Sequence, residues 1–207
     1  MSAYDSDTIA ALQAGALILR DMLWIRGSTS GGDAATWGFW AGEDNVTVNV
    51  VKATDPANVE SRAYVGGGSL LSDGVDPIVY QLGLVAQTIN VKLSQIHTSV
   101  QDMVRGANIR LAEAELHRAL FDVATGEIVS TPFPRFYGII EGAPINTPAV
   151  GGDGSITLAI TSVSIDLTRT NPALKSDEAT KLRSGDRFRQ YSGVTGQYTV
   201  DWGEARS

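Results

Sequence analysis

Along most of the chain, hydrophobic and polar residues alternate with the two-residue period of strands rather than the 3.6-residue period of helices. In Gln87–Ile96, Ile89, Val91 and Leu93 alternate with Asn90 and Lys92, the pattern of a half-buried strand. Ala16–Arg26, Ala35–Ala41 with Trp37, Phe39 and Trp40, Thr47–Val51 and Ile78–Leu84 read as further strands. Arg62–Leu71 is interrupted by Gly66-Gly67-Gly68 and reads as a broken strand or a loop. Gly151-Gly152-Asp153-Gly154 is a strong turn signal. It leads into Ser155–Arg169, where Ile156, Leu158 and Ile160 keep one parity and Val163, Ile165 and Leu167 the other, which predicts a bulge near Ser162. One helix is predicted, Asp7–Ala14. Ser6 or Asp7 can accept its free first-turn N–H groups, and Gly15 can end it.

Asn108–Gly142 is the ambiguous stretch. Arg110–Phe121 is rich in Ala, Leu, Glu and Arg, which are good helix formers. The same residues also alternate, placing Glu113, Glu115 and His117 on one strand face and Ala112, Ala114 and Leu116 on the other. Asp122–Glu127 carries turn chemistry, which favours a hairpin returning through Ile128-Val129. Roughly nine or ten strands at intervals of about 10–15 residues predict an all-β, mainly antiparallel sandwich or barrel. From Thr170 the periodicity is lost, so the chain divides into a β-domain over 1–170 and an irregular C-terminal extension over 171–207.

Composition narrows the function classes. The net charge of −7 argues against a general nucleic-acid binder. Residues 1–103 hold 5 basic and 11 acidic side chains and residues 104–207 hold 11 and 12, so the acid excess lies in the first half. The chain has no cysteine, which excludes disulfides, thiolate metal sites, iron–sulfur clusters and cysteine nucleophiles. The apolar run Ala14–Ile25 is broken by Arg20 and Asp21 and is too short to span a bilayer. A soluble protein without a membrane anchor or an export signal is expected.

Candidate chemistry is sparse. Glu113, Glu115 and His117 form the most site-like group, but the chain has only two histidines and no HExxH spacing, so a solvated sheet face or a subunit interface is the expectation. Gly66-Gly67-Gly68-Ser69 lacks the Lys of a phosphate loop, and no GxSxG elbow is present. No cofactor is implied. The basic residues Lys175, Lys181, Arg183, Arg187 and Arg189 are interleaved with Phe188 and Tyr191 and followed by Tyr198 and Trp202. Forked guanidinium groups and aromatics anchor interfaces, so Arg183, Arg187, Phe188, Arg189, Tyr191 and Trp202 are the interface candidates. A different class is a carbohydrate-binding or hydrolytic β-domain, with Trp37, Trp40 and Tyr64 as a stacking platform and Glu113 and Glu115 as acids. A free-standing β-protein is a third.

Three stretches carry a resemblance. Arg110–Asp122 with Thr125-Gly126, the aromatic–glycine run Phe136-Tyr137-Gly138-Ile139-Ile140-Glu141-Gly142, and Arg183-Ser184-Gly185-Asp186-Arg187-Phe188-Arg189-Gln190-Tyr191 with Val200-Asp201-Trp202-Gly203 together resemble the hub and distal-tail proteins of the tail tips of long-tailed phages and gene transfer agents. The resemblance covers about 85–203. It implies a split β-barrel or sandwich, with strands over 110–121, and no catalysis. It further implies a homo-oligomeric ring, trimeric or hexameric, assembled in the host cytoplasm into the virion's tail tip or baseplate. Its partners would be the tail tube, the hub and the central tip protein, with DNA only in transit past an acidic inner surface. The absence of cysteine means that an iron–sulfur cluster of some relatives does not carry over.

Overall fold

The computed structural model describes residues 6–79, 85–150, 154–168 and 176–197. The chain divides into two compact units, residues 1–168 and 169–207. In the first, helix α1 (Ser6–Ala14) ends at Gly15, whose φ of +73° is one that glycine adopts without strain. Five strands follow: β1 (Leu17–Thr29), β2 (Ala34–Trp40), β3 (Val46–Val51), β4 (Val59–Tyr64) and β5 (Leu70–Val75). Then come β6 (Thr88–Ser94), helix α2 (Thr98–Gly106), β7 (Ala107–Asp122), β8 (Pro134–Gly142), the short β9 (Ile145–Asn146), β10 (Ser155–Ser162) and a 3-10 turn over Val163–Thr168. The second unit holds α3 (Asp177–Lys181) followed by turns.

The all-β, antiparallel architecture expected from the alternation is present. One eight-stranded sheet runs β2-β1-β7-β8-β10-β6-β5, with β9 on β10, and curls into a half-barrel. A separate two-stranded sheet pairs β3 with β4. The ambiguous stretch is the 16-residue strand β7, paired with β1 from Leu17↔Asp122 to Thr29↔Ala107. Helix propensity loses here because a strand lets β7 bury both faces, which no isolated helical stripe of these residues could do. Inside the curl, Ala112, Ala114 and Leu116 pack with Leu23, Ile25, Ile89, Val91, Leu93, Phe136, Ile140, Leu158 and Ile160. Near its start β7 advances from Asn108 to Glu113 while β1 moves only from Ser28 to Arg26, so Arg110 and Leu111 project as a bulge. Leu111 sits there at φ +64°, a conformation unfavourable for a leucine.

Several expectations are corrected. Helix α2 is not predicted by the alternation: Val100 and Met103, three residues apart, turn one face into the core, a short stripe that strand-period reading passes over. There is no bulged strand after Ser162. The parity change marks the end of β10 and the start of the 3-10 turn, and the register of β10 with β8 has already shifted between Ala159 and Ile160. The return from Asp122 is a single bridge, Phe121↔Ile128, and the paired strand begins only at Pro134. Ile78 and Val79 belong to no strand, and the rest of the predicted 78–84 strand lies outside the described residues. Residues 151–153 of the predicted glycine-rich turn also lie outside them.

Candidate functional site

The face of β7 that carries Glu113, Glu115 and His117 is covered by the β3–β4 hairpin. The expectation of a solvated sheet face or a subunit interface is therefore corrected for the inner two residues. Arg62, Glu115 and His117 are 1%, 2% and 0% exposed. Register explains the meeting: Met22, Trp24 and Arg26 of β1 pair with His117, Glu115 and Glu113, and so share their face. Val48, Val50, Arg62 and Tyr64 close over them from the hairpin.

Glu115 is the hub of this cluster. Arg62 donates to it through Nη1 and Nη2 at 2.9 and 3.3 Å, Arg26 through Nη2 at 3.1 Å, and the Ala53 backbone N–H at 3.2 Å. Arg62 also donates through Nε to Glu60 at 2.9 Å, lies 5.0 Å above the Trp24 ring, and Arg26 reaches Glu113 at 3.3 Å. The forked geometry suits guanidinium better than ammonium. His117 Nε2 lies 2.9 Å from the Val51 carbonyl and 3.8 Å from Glu115 Oε2. A carbonyl only accepts, so Nε2 carries the proton and Nδ1 is an acceptor. Among the described residues Nδ1 has no partner, and neither does the Tyr64 hydroxyl or the Trp24 indole N–H.

Charge follows this geometry. Burial works to raise the pKa of Glu115, but the hydrogen bonds and charge of Arg62 outweigh it and hold the carboxyl below its ordinary value. Burial lowers Arg62, and the Glu115 contacts override this and leave the guanidinium above its usual value. Burial dominates for His117, which is held below the ordinary imidazole range, and it pushes the Tyr64 phenol up to about 12. A carboxylate that receives four hydrogen bonds and stays ionised has its lone pairs committed, so Glu115 anchors the hairpin to the sheet. Sequence reasoning singled out Glu115 and His117 but missed Arg26 and Arg62. The available signal was parity, since Arg62 alternates in step with the core residue Tyr64.

The stacking platform of the carbohydrate reading does not assemble. Trp37 packs against the main core, whereas Trp40 lies on the opposite face of β2, stacked on Phe121 at 5.7 Å. Tyr64 is buried. An open pocket of ≈ 470 Å³ beside Trp40 is lined by Ile18, Arg20, Glu43, Asp44, Ser72 and Phe121.

The interface candidates fall in the second unit. Ser176 caps α3, its hydroxyl accepting from the Ala179 N–H at 3.3 Å. Arg183 pairs with Asp186 at 2.6 Å and Arg187 with Asp177 at 2.9 Å, while Lys181 pairs with Glu178. Much of the basic charge is thus balanced locally. What the segment displays is apolar: Leu182 is 89% exposed, Phe188 86% and Tyr191 66%. Arg189 is partly buried, and Trp202 lies outside the described residues. No family model matches the chain. No curated protein matches it either.

Proposed function

We propose that this chain is a structural subunit of the tail tip or baseplate of a long-tailed phage or phage-like particle, in the hub or distal-tail position. It builds a homo-oligomeric ring, a trimer or a hexamer, at the end of the tail tube, joins the tube to downstream tip proteins and lets DNA pass. The reading rests on the resemblance of 110–142 and 183–203. The observation that carries it is the segment 176–197, whose Leu182, Phe188 and Tyr191 present apolar surface of the kind that marks an interaction site. Its mechanism is geometric, since closed symmetry presents the same patch to every neighbour. A lasting ring interface buries about 2,000 Å² or more.

Charge supports the arrangement. Residues 1–168 hold 9 basic and 18 acidic side chains, a net −9, and residues 169–207 hold 7 and 5, a net +2, which together give the chain's −7. The residual positive charge of the extension and the negative charge of the body are opposite in sign, which favours docking of one copy's extension on another copy's body, and an acidic ring lumen repels phosphate and keeps DNA from sticking. The test is the native mass of the full chain and of residues 1–168. The full chain is expected as a closed oligomer of three or more copies and the truncated chain as a folded monomer. A full chain that stays monomeric in the presence of tail proteins, or a truncated chain that still closes the ring, overturns the reading.

A further inference from the structure

We propose that the β3–β4 hairpin is a hinged flap, latched over the β1–β7 face by Glu115 and His117, and that mild acid weakens the latch at His117 while the curled sheet stays folded. The proposal is independent of the function proposed above.

The two ends of the hairpin are held differently. At the base it is tied to β2 by main chain: Trp40 N–H donates to the Val65 carbonyl at 3.1 Å and Val65 N–H to the Gly38 carbonyl at 2.9 Å. Gly38 leaves no room for a side chain, because a Cβ there would lie 2.3 Å from the Ala63 carbonyl oxygen. Just beyond, Gly67 and Gly68 take φ of +62° and +77°, backbone that few other residues adopt and that suits a pivot. The Arg62 fork onto Glu115 fastens the middle of the hairpin, and at the far end it is held by the His117–Val51 and Glu115–Ala53 hydrogen bonds and one main-chain bond from Val51 N–H to the Pro132 carbonyl. The hairpin forms its own two-stranded sheet, so lifting it breaks no ladder of the eight-stranded one. The apolar cluster beneath it is small, with Met22, Trp40, Val48, Val50, Tyr64 and Ala119 as its buried members.

The latch is built to respond to protons. His117 faces Glu115 on its own strand, Arg62 and Tyr64 from β4 and Arg26 from β1, with Glu60, Glu113 and Tyr137 around the rim. A proton arriving on Nδ1 finds no acceptor among the described residues, and the imidazolium would be buried beside Arg62. Burial holds the closed-state pKa of His117 below the ordinary value, which returns once the flap opens to water. Closure therefore has its full His117 contribution above about pH 6.5 and loses it as pH falls below that value. Glu115 adds a second step at lower pH. Its closed-state pKa is depressed, so its contribution is present above the ordinary carboxylate pKa and is lost as pH falls through the closed-state value.

Hydrogen exchange of the full chain, corrected for the intrinsic effect of pH on exchange, reads this directly. Between pH 7.5 and 5.5, protection of 46–51 and 59–64 is expected to fall severalfold, up to the ~10-fold that one proton on His117 allows, while 89–93 and 156–160 stay better protected than the hairpin at both pH values, since opening is local. His117→Gln keeps a donor for the Val51 carbonyl but does not titrate, and should flatten the hairpin profile over this range. The wild-type profile decides alone if that variant does not fold. A hairpin no less protected than the sheet, a hairpin insensitive to pH, or an undiminished fall in a folded His117→Gln protein would each overturn the proposal.

Discussion

The two faces of β7 are both buried, yet they are held by different physics. On the inner face, Ala112, Ala114 and Leu116 join the main core, where burial is non-directional and each large side chain contributes about 1.5–3 kcal/mol. On the outer face, Glu115 and His117 are equally dry, and their positions are defined by hydrogen bonds to Arg62, Arg26, Ala53 and Val51. An apolar face tolerates exchange of one hydrocarbon for another, whereas a buried ion pair is destabilised steeply when one of its partners is removed.

Arg62→Ala strikes the outer face at its most sensitive point. That change strands the Glu115 charge under the hairpin and should cost about 3–5 kcal/mol, measured by urea denaturation at pH 7. On the inner face, Leu116→Ala leaves a cavity and should cost about 3 kcal/mol in the same assay. A loss from Arg62→Ala well below that from Leu116→Ala would show that the charge cluster is slack. The double variant Arg62→Met with Glu115→Leu removes both charges, and its loss should be smaller than that of Arg62→Ala alone. Smaller again is a pH effect. The wild-type melting temperature should decline as pH drops from 7.5 toward 5.5, because the unfolded chain takes up the proton that folded His117 resists. His117→Gln should lose that slope. Smallest of all is Asp21→Asn. The Arg118–Asp21 pair at 2.7 Å is partly solvated, so breaking it should cost under about 1 kcal/mol.

The C-terminal unit makes a second contrast with the body. Its ion pairs are exposed and local in sequence, and its largest apolar side chains face solvent. Replacing Phe188 with Ser should leave the melting temperature of the body unchanged while reducing oligomer mass, a pairing of readouts that separates an interface residue from a packing one.

By itself, the sequence determined the strands whose alternation is strict, such as β3, β6 and the first half of β10, because a two-residue period commits one face to the core whatever lies opposite. It also determined the turn after β7, where the Asp122 carboxylate accepts from the N–H groups of Ala124 and Thr125 and Gly126 takes φ +70°. Those are local effects, complete within a few residues. At Arg110–Phe121 the alternation and the turn that follows favoured a strand against helix propensity, and pairing with β1 and β8 is what made the strand win. Tertiary structure alone decided that the Glu-x-Glu-x-His face is covered. The groups that make burial tolerable, Arg62 and the Val51 carbonyl, lie more than fifty residues away, and the burial of a charge depends on partners that no local window contains.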